Sequence, residues 1–390
     1  MSNENARARL LSIDAVRGIA VLLMILDHAR EFLATSGFAP TDPDRSYLAL
    51  YVTRWITHFC APAFVLLAGV SPRISIQRGT RSLREMRNFL LLRGAWLILI
   101  ECTLVSLAWD IRFREINLQV IWAIGVSMLA LALFVQFHPR VSLIVGLIVL
   151  FSHNLLADVP TAGWPHWLQK VWLVLYGQGV LWQPSAHLEV QVTYPVIPWI
   201  GVILIGYGVS DALLSGLQKR SVAVFFAGVA ALLLFVVLRY VDVYGEPMPW
   251  HVFDGSMLQT LMSFFNLTKY PPSLDFLLCM LGLVLVALYW ATSFPEWLAR
   301  FCVTYGAVPF FVYVTHLFIL QGLMWICIVW HHFGLPGSDV ISIEVMTADE
   351  RGRLWLVYGA AVIAIALLKK PCERFAVVKR TNRSPWLSFL

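Results

Sequence analysis

The chain has 390 residues, of which 59% are hydrophobic and 13% are charged, against roughly 25% charged residues in soluble domains. With a mean hydropathy of +0.73, this composition excludes an ordinary soluble globular protein and predicts an integral membrane protein. The net charge of +6 does not indicate nucleic-acid binding, because the basic residues segregate by loop as membrane topology requires.

Apolar runs of about 20 residues predict about ten transmembrane helices, within a range of 9–12. We place them at 13–33, 52–70, 88–108, 118–137, 141–157, 194–214, 221–239, 272–292, 306–330 and 354–370. A shorter Trp-rich segment at about 164–182 is expected to lie at the membrane interface or to be re-entrant. Because the spans use up nearly the whole chain, we expect an all-α polytopic fold with a single transmembrane domain over residues 1–390.

Lysines and arginines predict the orientation. The loop after the second span carries five arginines between 73 and 87, and its side of the membrane holds nearly twice as many basic residues as the other. Basic loops stay in the cytoplasm. Both termini are therefore predicted to be cytoplasmic, which puts the long 157–192 and 240–271 loops on the far side.

The first span is unusually rich in ionisable side chains. A charge near the bilayer centre costs roughly 2.5–3.5 kcal/mol on insertion scales, yet this stretch contains three acids, two arginines and a histidine. Asp14, Arg17, His28 and Glu31 fall on one helical face. We expect that face to point into the protein and to form one wall of a site.

His28 is the best catalytic candidate in that span. Asp27 and Glu31 are close enough in sequence to fix its tautomer, as the orienting group of a general base does. A structural histidine at the membrane edge is an equally good interpretation. His58, one turn after Arg54 at the start of the second span, could face the same cavity, although a packed histidine is commoner there.

Other polar groups allow two readings each. Asp14 and Arg17 form either an i,i+3 ion pair or, through Arg17, a contact with an anionic donor from the cytosol. His316, inside the ninth span, either hydrogen-bonds a neighbouring helix carbonyl or lines the cavity. Glu101, deep in the third span, needs a partner, and we expect a structural ion pair with Arg93 or Arg17 rather than a role in chemistry.

Several site classes lack support in the sequence. The chain contains no G-x-x-x-x-G-K-[ST], G-x-G-x-x-G or G-x-S-x-G motif, so nucleotide-binding and α/β-hydrolase chemistry are not indicated. Its six cysteines are scattered without a C-x-x-C pair. We therefore expect neither a disulfide framework nor a metal site.

Six blocks of the sequence are informative together: residues 9–32, 54–69, 194–208, 267–278, 305–319 and 371–390. They resemble bacterial members of the heparan-α-glucosaminide N-acetyltransferase-like family. The opening block, RLLSIDAVRGIAVLLMILDHAREF, also resembles, more distantly, the membrane acyltransferases that O-acetylate surface polysaccharides. The resemblance therefore extends over nearly the whole chain.

The resemblance implies transfer of an acetyl group from cytosolic acetyl-CoA to a sugar amine or hydroxyl on the far side of the membrane. An imidazole would act as general base or as transient acetyl carrier. The implied partners are an acyl-CoA donor, a sugar or glycan acceptor, the lipid bilayer and, as one option, a second copy in a homodimer. The implied location is the bacterial inner membrane. The catalytic candidates are His28, His58 and Asp27, and the donor-binding candidates are Arg17, Asp14, Lys269 and His316.

One departure from the family pattern affects the choice of imidazole. The lysosomal member has an asparagine at the position of His28 and its catalytic histidine in the following loop, whereas the 34–54 loop here has no histidine. The imidazole must then be His28 or His58, and we favour His28. Two other functions remain in competition: a transporter whose intramembrane charges bind a solute or protons, and a non-catalytic component of an envelope assembly.

Overall fold

The structure is a computed structural model that describes residues 3–34, 36–218, 222–333, 353–382 and 387. Four basic residues that count toward the predicted orientation, Lys219, Arg220, Arg351 and Arg383, lie outside this range. The chain forms two compact units. The first comprises 1–13, 61–249 and 267–294, and the second comprises 14–60, 250–266 and 295–390. The single domain over 1–390 stays a prediction.

Helices make up most of the described chain. In order they are α1 (Asn3–Leu33), α2 (Leu48–Thr57), α3 (Cys60–Gln77), α4 (Leu83–Ile100), α5 (Ser106–Trp109), α6 (Val120–Phe134), α7 (Pro139–Ser152), α8 (His166–Leu175), α9 (Val196–Gln218), α10 (Val222–Val241), α11 (Met257–Phe264), α12 (Leu274–Ala291), α13 (Glu296–Gly306), α14 (Pro309–His332) and α15 (Leu354–Thr381). A π-helical turn, Glu101–Val105, joins α4 to α5, and a 3-10 turn, His153–Leu156, follows α7.

Each of the ten predicted spans is helical. Within the described residues, eight helical segments are long and apolar enough to cross a membrane by length and composition: Leu48–Gln77, Leu83–Trp109, Pro139–Leu156, Val196–Leu214, Val222–Val241, Leu274–Ala291, Pro309–His332 and Leu354–Thr381. The other two predicted spans correspond to the charged α1 and to α6, which has 15 residues. The prediction of an all-α polytopic membrane protein is confirmed.

Glycines allow close helix packing in the first unit. A Cβ on Gly94 of α4 would lie 2.7 Å from the carbonyl oxygen of Gly125 on α6, and one on Gly125 would lie 2.8 Å from that of Gly94. The pairs α7–α9 and α10–α12 repeat this arrangement through Gly146 and Gly201 and through Gly228 and Gly282. Small residues at such contacts let the helix backbones approach closely, which increases the dispersion energy between them. In lipid this packing matters because the hydrophobic effect does not drive helices together.

A small sheet in the first unit is a feature that sequence analysis missed. Strands β1 (Glu115–Leu118), β2 (Gly179–Ser185) and β3 (Leu188–Val192) form it in the order β1-β3-β2. β1 pairs with β3 in parallel, and β2 pairs with β3 antiparallel. The Trp-rich segment forms α8, whose 10 residues span only about 15 Å at 1.5 Å per residue, too short to cross a bilayer.

In the second unit, α1 packs against α13 through two glycines. A Cβ on Gly18 would lie 1.9 Å from the carbonyl oxygen of Cys302, and one on Gly306 would lie 1.8 Å from that of Asp14. Any larger residue at either position would push the helices apart. The Tyr305 hydroxyl donates to the carbonyl of Ile365 on α15 over 2.9 Å. The two glycine contacts hold residues 14–18 of α1 against α13.

Candidate active site

Two histidines from distant parts of the chain meet in the second unit. Nδ1 of His28 on α1 lies 2.7 Å from Nε2 of His316 on α14. The imidazole rings are nearly parallel, with centroids 4.9 Å apart and planes inclined by 15°. A nitrogen–nitrogen distance of this length is a hydrogen bond. The structure therefore joins one predicted catalytic residue to one residue predicted to bind the donor.

The two imidazoles differ in exposure. His316 is fully buried, with 0% of its surface exposed, whereas His28 is half-buried. The other ring nitrogen of His316, Nδ1, donates to the carbonyl oxygen of Val312 one turn earlier, over 2.7 Å. Because both nitrogens of His316 are engaged and its ring is enclosed, His28 is the member of the pair that another molecule can approach.

Tyr313 completes the aromatic surroundings of this histidine pair. Its ring meets that of His28 edge-on at 6.1 Å between centroids and that of His316 at 5.9 Å. Tyr313 is itself buried. Edge-to-face packing of this kind restrains ring orientation. Helix α14 therefore provides both the hydrogen-bond partner of His28 and the aromatic ring packed against it.

Asp27, the neighbour of His28, belongs to a buried ionic cluster. Its carboxylate accepts hydrogen bonds from the Arg54 guanidinium at 2.6 and 2.8 Å, from the Thr57 hydroxyl at 2.9 Å and from Arg30 at 3.3 Å. Arg30 also pairs with Glu31. Buried charges need such partners, and this cluster ties α1 to α2 beside the histidine pair.

The structure also describes the surroundings of the other candidates. His58 lies immediately after α2 and is buried. Arg17 and Asp14 form an i,i+3 ion pair with a 2.8 Å contact. Lys269 belongs to the first unit, where it is buried with its ammonium 5.1 Å from the centre of the Tyr270 ring. The roles assigned to all seven candidates from the sequence stay predictions.

Sequence reasoning missed how these residues pair. His28 and His316 are 288 positions apart, and Asp27 and Arg54 are 27 apart. The pattern that could have suggested both contacts is the occurrence of ionisable residues inside apolar spans, since each needs a partner there. Among the described residues, no group of three or more His, Cys, Asp or Glu could hold a metal ion.

Residues 9–241 match the protein family described as "Heparan-alpha-glucosaminide N-acetyltransferase, catalytic". The match covers more than half of the chain. The chain belongs to this family. Membership makes it an acetyltransferase, and its span-length helices make it an integral membrane protein. The predictions of the family and of an enzyme are confirmed.

The family match includes one histidine of the pair. His28, Asp27, Arg54 and His58 lie inside residues 9–241, whereas His316 on α14 lies beyond them. The family assignment therefore rests on residues that do not include the partner of His28. No protein of curated function matches the chain.

Proposed function

We propose that this protein transfers an acetyl group from cytosolic acetyl-CoA to an amine or hydroxyl of a sugar or glycan on the far side of the membrane, with His28 as the general base. The observation that carries the proposal is the half-buried His28 imidazole on α1, held by His316 at 2.7 Å. Membership of the acetyltransferase family supplies the reaction class. The bacterial inner membrane remains our proposed location.

The proposed reaction needs one base that works in both directions. His28 accepts the proton of the acceptor amine or hydroxyl as the acceptor's nitrogen or oxygen attacks the thioester carbonyl carbon. The carbon–sulfur bond then breaks, and the imidazolium returns the proton to the departing CoA thiolate. The imidazole is thus regenerated, and general base catalysis of this type contributes about 10²- to 10⁴-fold to a rate.

The placement of His28 suits this chemistry for two reasons. A base must lie within hydrogen-bond reach of the proton that it removes, and the exposed part of His28 allows an acceptor to approach. A low-polarity site also strengthens electrostatic interactions with the reacting groups, and the part of α14 that surrounds His316 is predominantly apolar. Arg17 and Asp14 remain our candidates for contacting the donor.

Proteoliposomes with a known protein orientation test the proposal. Labelled acetyl-CoA is supplied on the predicted cytoplasmic side, and an amino sugar such as glucosamine is enclosed on the other side. We expect acetylated sugar inside the vesicles and an equal amount of free CoA outside. Substitution of His28 should abolish the transfer, and His153→Phe is the matched control, because His153 is another buried histidine of a span-length segment.

Two results would contradict the proposal. If no sugar amine or hydroxyl stimulates the release of CoA, the acceptor is not a sugar or glycan. Release of the enclosed sugar from the vesicles without acetylation would support a transporter instead. Mass spectrometry of envelope glycans with and without the gene then identifies the acceptor by the acetyl mass that is lost.

A further inference from the structure

We propose that His316 is a positioning residue that fixes the tautomer of His28 and so places the basic lone pair on Nε2 of His28. The inference rests on the proposed role of His28 as general base. It adds His316 to the proposed site, a residue of α14 that lies outside the matched family region.

The hydrogen-bond chain determines which atoms carry protons. The Val312 carbonyl oxygen can only accept, so Nδ1 of His316, at 2.7 Å, carries a hydrogen. In a neutral imidazole the other nitrogen is then an acceptor. Nε2 of His316 therefore accepts from Nδ1–H of His28 across the 2.7 Å contact. Nδ1 of His28 is the donor, and Nε2 of His28 has the lone pair.

Burial makes this arrangement specific. His316 is fully enclosed, and a charged imidazole there would lose its hydration, which favours the neutral form. A neutral His316 has one acceptor nitrogen, and that nitrogen faces His28. In catalytic sites a group that orients a histidine in this way holds the tautomer and the ring direction. Here a second imidazole takes the place of the usual carboxylate or carbonyl.

The neighbouring carboxylates are engaged elsewhere. Asp27 accepts from Arg54, Thr57 and Arg30, and Glu31 accepts from Arg30. Nδ1 of His28 contacts Nε2 of His316 at 2.7 Å. Misplacing a reacting atom by about 1 Å can cost about 10²-fold in rate, so we expect His316, which holds the His28 ring, to affect the chemical step more than substrate binding.

Kinetic variants test the inference. His316→Phe replaces the ring by an apolar one of similar shape, and we expect kcat to fall by about 10²-fold or more while KM for acetyl-CoA changes little. His316→Gln puts an amide oxygen near the position of Nε2, so it should restore kcat to within about tenfold of the wild type. An unchanged kcat in His316→Phe, or a kcat in His316→Gln as low as in His316→Phe, would overturn the inference.

A double variant separates positioning from a structural role. If His316 acts only through His28, His28→Ala with His316→Phe should be as active as His28→Ala alone. A further loss in the double variant would show an independent role and overturn the inference. Wild-type activity in His28→Ala would instead refute the proposed function, so the two failures are distinguishable.

A measurement on the wild-type chain avoids dependence on how the His316 variants fold. Solid-state ¹⁵N NMR of histidine-labelled protein at pH 8, with His28→Ala used only to assign the resonance, reports which nitrogen carries hydrogen. We expect His28 to be protonated on Nδ1 and unprotonated on Nε2. The opposite tautomer would overturn the inference whatever the kinetics show.

Discussion

Glu101 and His28 are both ionisable groups inside predicted spans, and their surroundings differ. Glu101, at the π-helical turn after α4, is fully buried, and its carboxylate accepts from the backbone N–H groups of Gln119 and Trp122 at 3.3 and 3.2 Å. These donors lie at the start of α6, where N–H groups lack helical partners. His28 is half-buried and is held by a side chain.

The difference supports our proposal that His28 is a reactive group and Glu101 a structural one. The Glu101 carboxylate is fully enclosed and stabilises a helix end. A substrate therefore cannot contact it directly. A π-helical turn often marks a functional site, but here it places a cap for α6. His28 keeps an approachable edge while its other side is fixed. We therefore propose a structural role for Glu101 and a role in acetyl transfer for His28. The following predictions test this distinction.

The largest stability effect is expected at Asp27. Asp27→Ala leaves Arg54 and Arg30 in the buried cluster without the carboxylate between them, and removing one member of a buried ion pair costs about 3–5 kcal/mol. Chemical unfolding in detergent measures the change. Asp211→Ala is the control, because its pair with Arg73 is more exposed and should contribute about 0–1 kcal/mol. Equal losses in the two variants would refute the importance of burial.

Glu101→Ala should have the next largest effect. It removes the acceptor for two N–H groups at the start of α6, and an unsatisfied buried donor costs about 1–3 kcal/mol. Acetyl transfer per folded molecule should stay at the wild-type level. A folded Glu101→Ala protein without activity would place Glu101 in the chemistry and break the comparison.

Glu246 tests the effect of burial on a hydrogen-bonded carboxylate outside the spans. Burial raises the pKa of Glu246 above its usual value, although Thr268 and Ser273 donate hydrogen bonds to its carboxylate. A raised pKa means that the folded protein holds the proton more tightly than the unfolded chain. The stability from this group should therefore fall as pH rises from about 4.3 to the raised value.

The comparison variant for that pH effect is Glu246→Gln, which has no proton to lose. We expect a smaller decrease in its unfolding free energy over the same pH interval than in the wild type, measured in one detergent. Parallel pH profiles for the two proteins would show that Glu246 does not titrate differently in the folded state.

The sequence predicted the helices well because their determinants are local. An apolar run long enough to span a bilayer is visible without knowledge of its neighbours, and each of the ten predicted spans is helical in the structure. The sheet was missed because β1 has four residues and pairs with β3 more than 70 positions later. Such pairing depends on tertiary contacts, which no short segment specifies.

The sequence indicated some residues of the candidate site, because residue type is local information, but not how those residues pair. Ionisable residues inside the apolar first span pointed to His28, but His316 was interpreted by itself, with a role in donor binding. The sequence also suggested Arg93 or Arg17 as the partner of Glu101, whereas the structure supplies backbone N–H groups from α6. Residue type shows that a buried polar group needs a partner. Only the packing of helices shows which partner it has.

The central claim is that His28, and not Glu101, carries the acetyl-transfer chemistry. The most direct test is the rate of acetyl transfer to an amino sugar by His28→Ala and by Glu101→Ala, each normalised to folded protein. The account predicts a loss of about 10²- to 10⁴-fold for His28→Ala and a wild-type rate for Glu101→Ala. A wild-type rate in folded His28→Ala would contradict it.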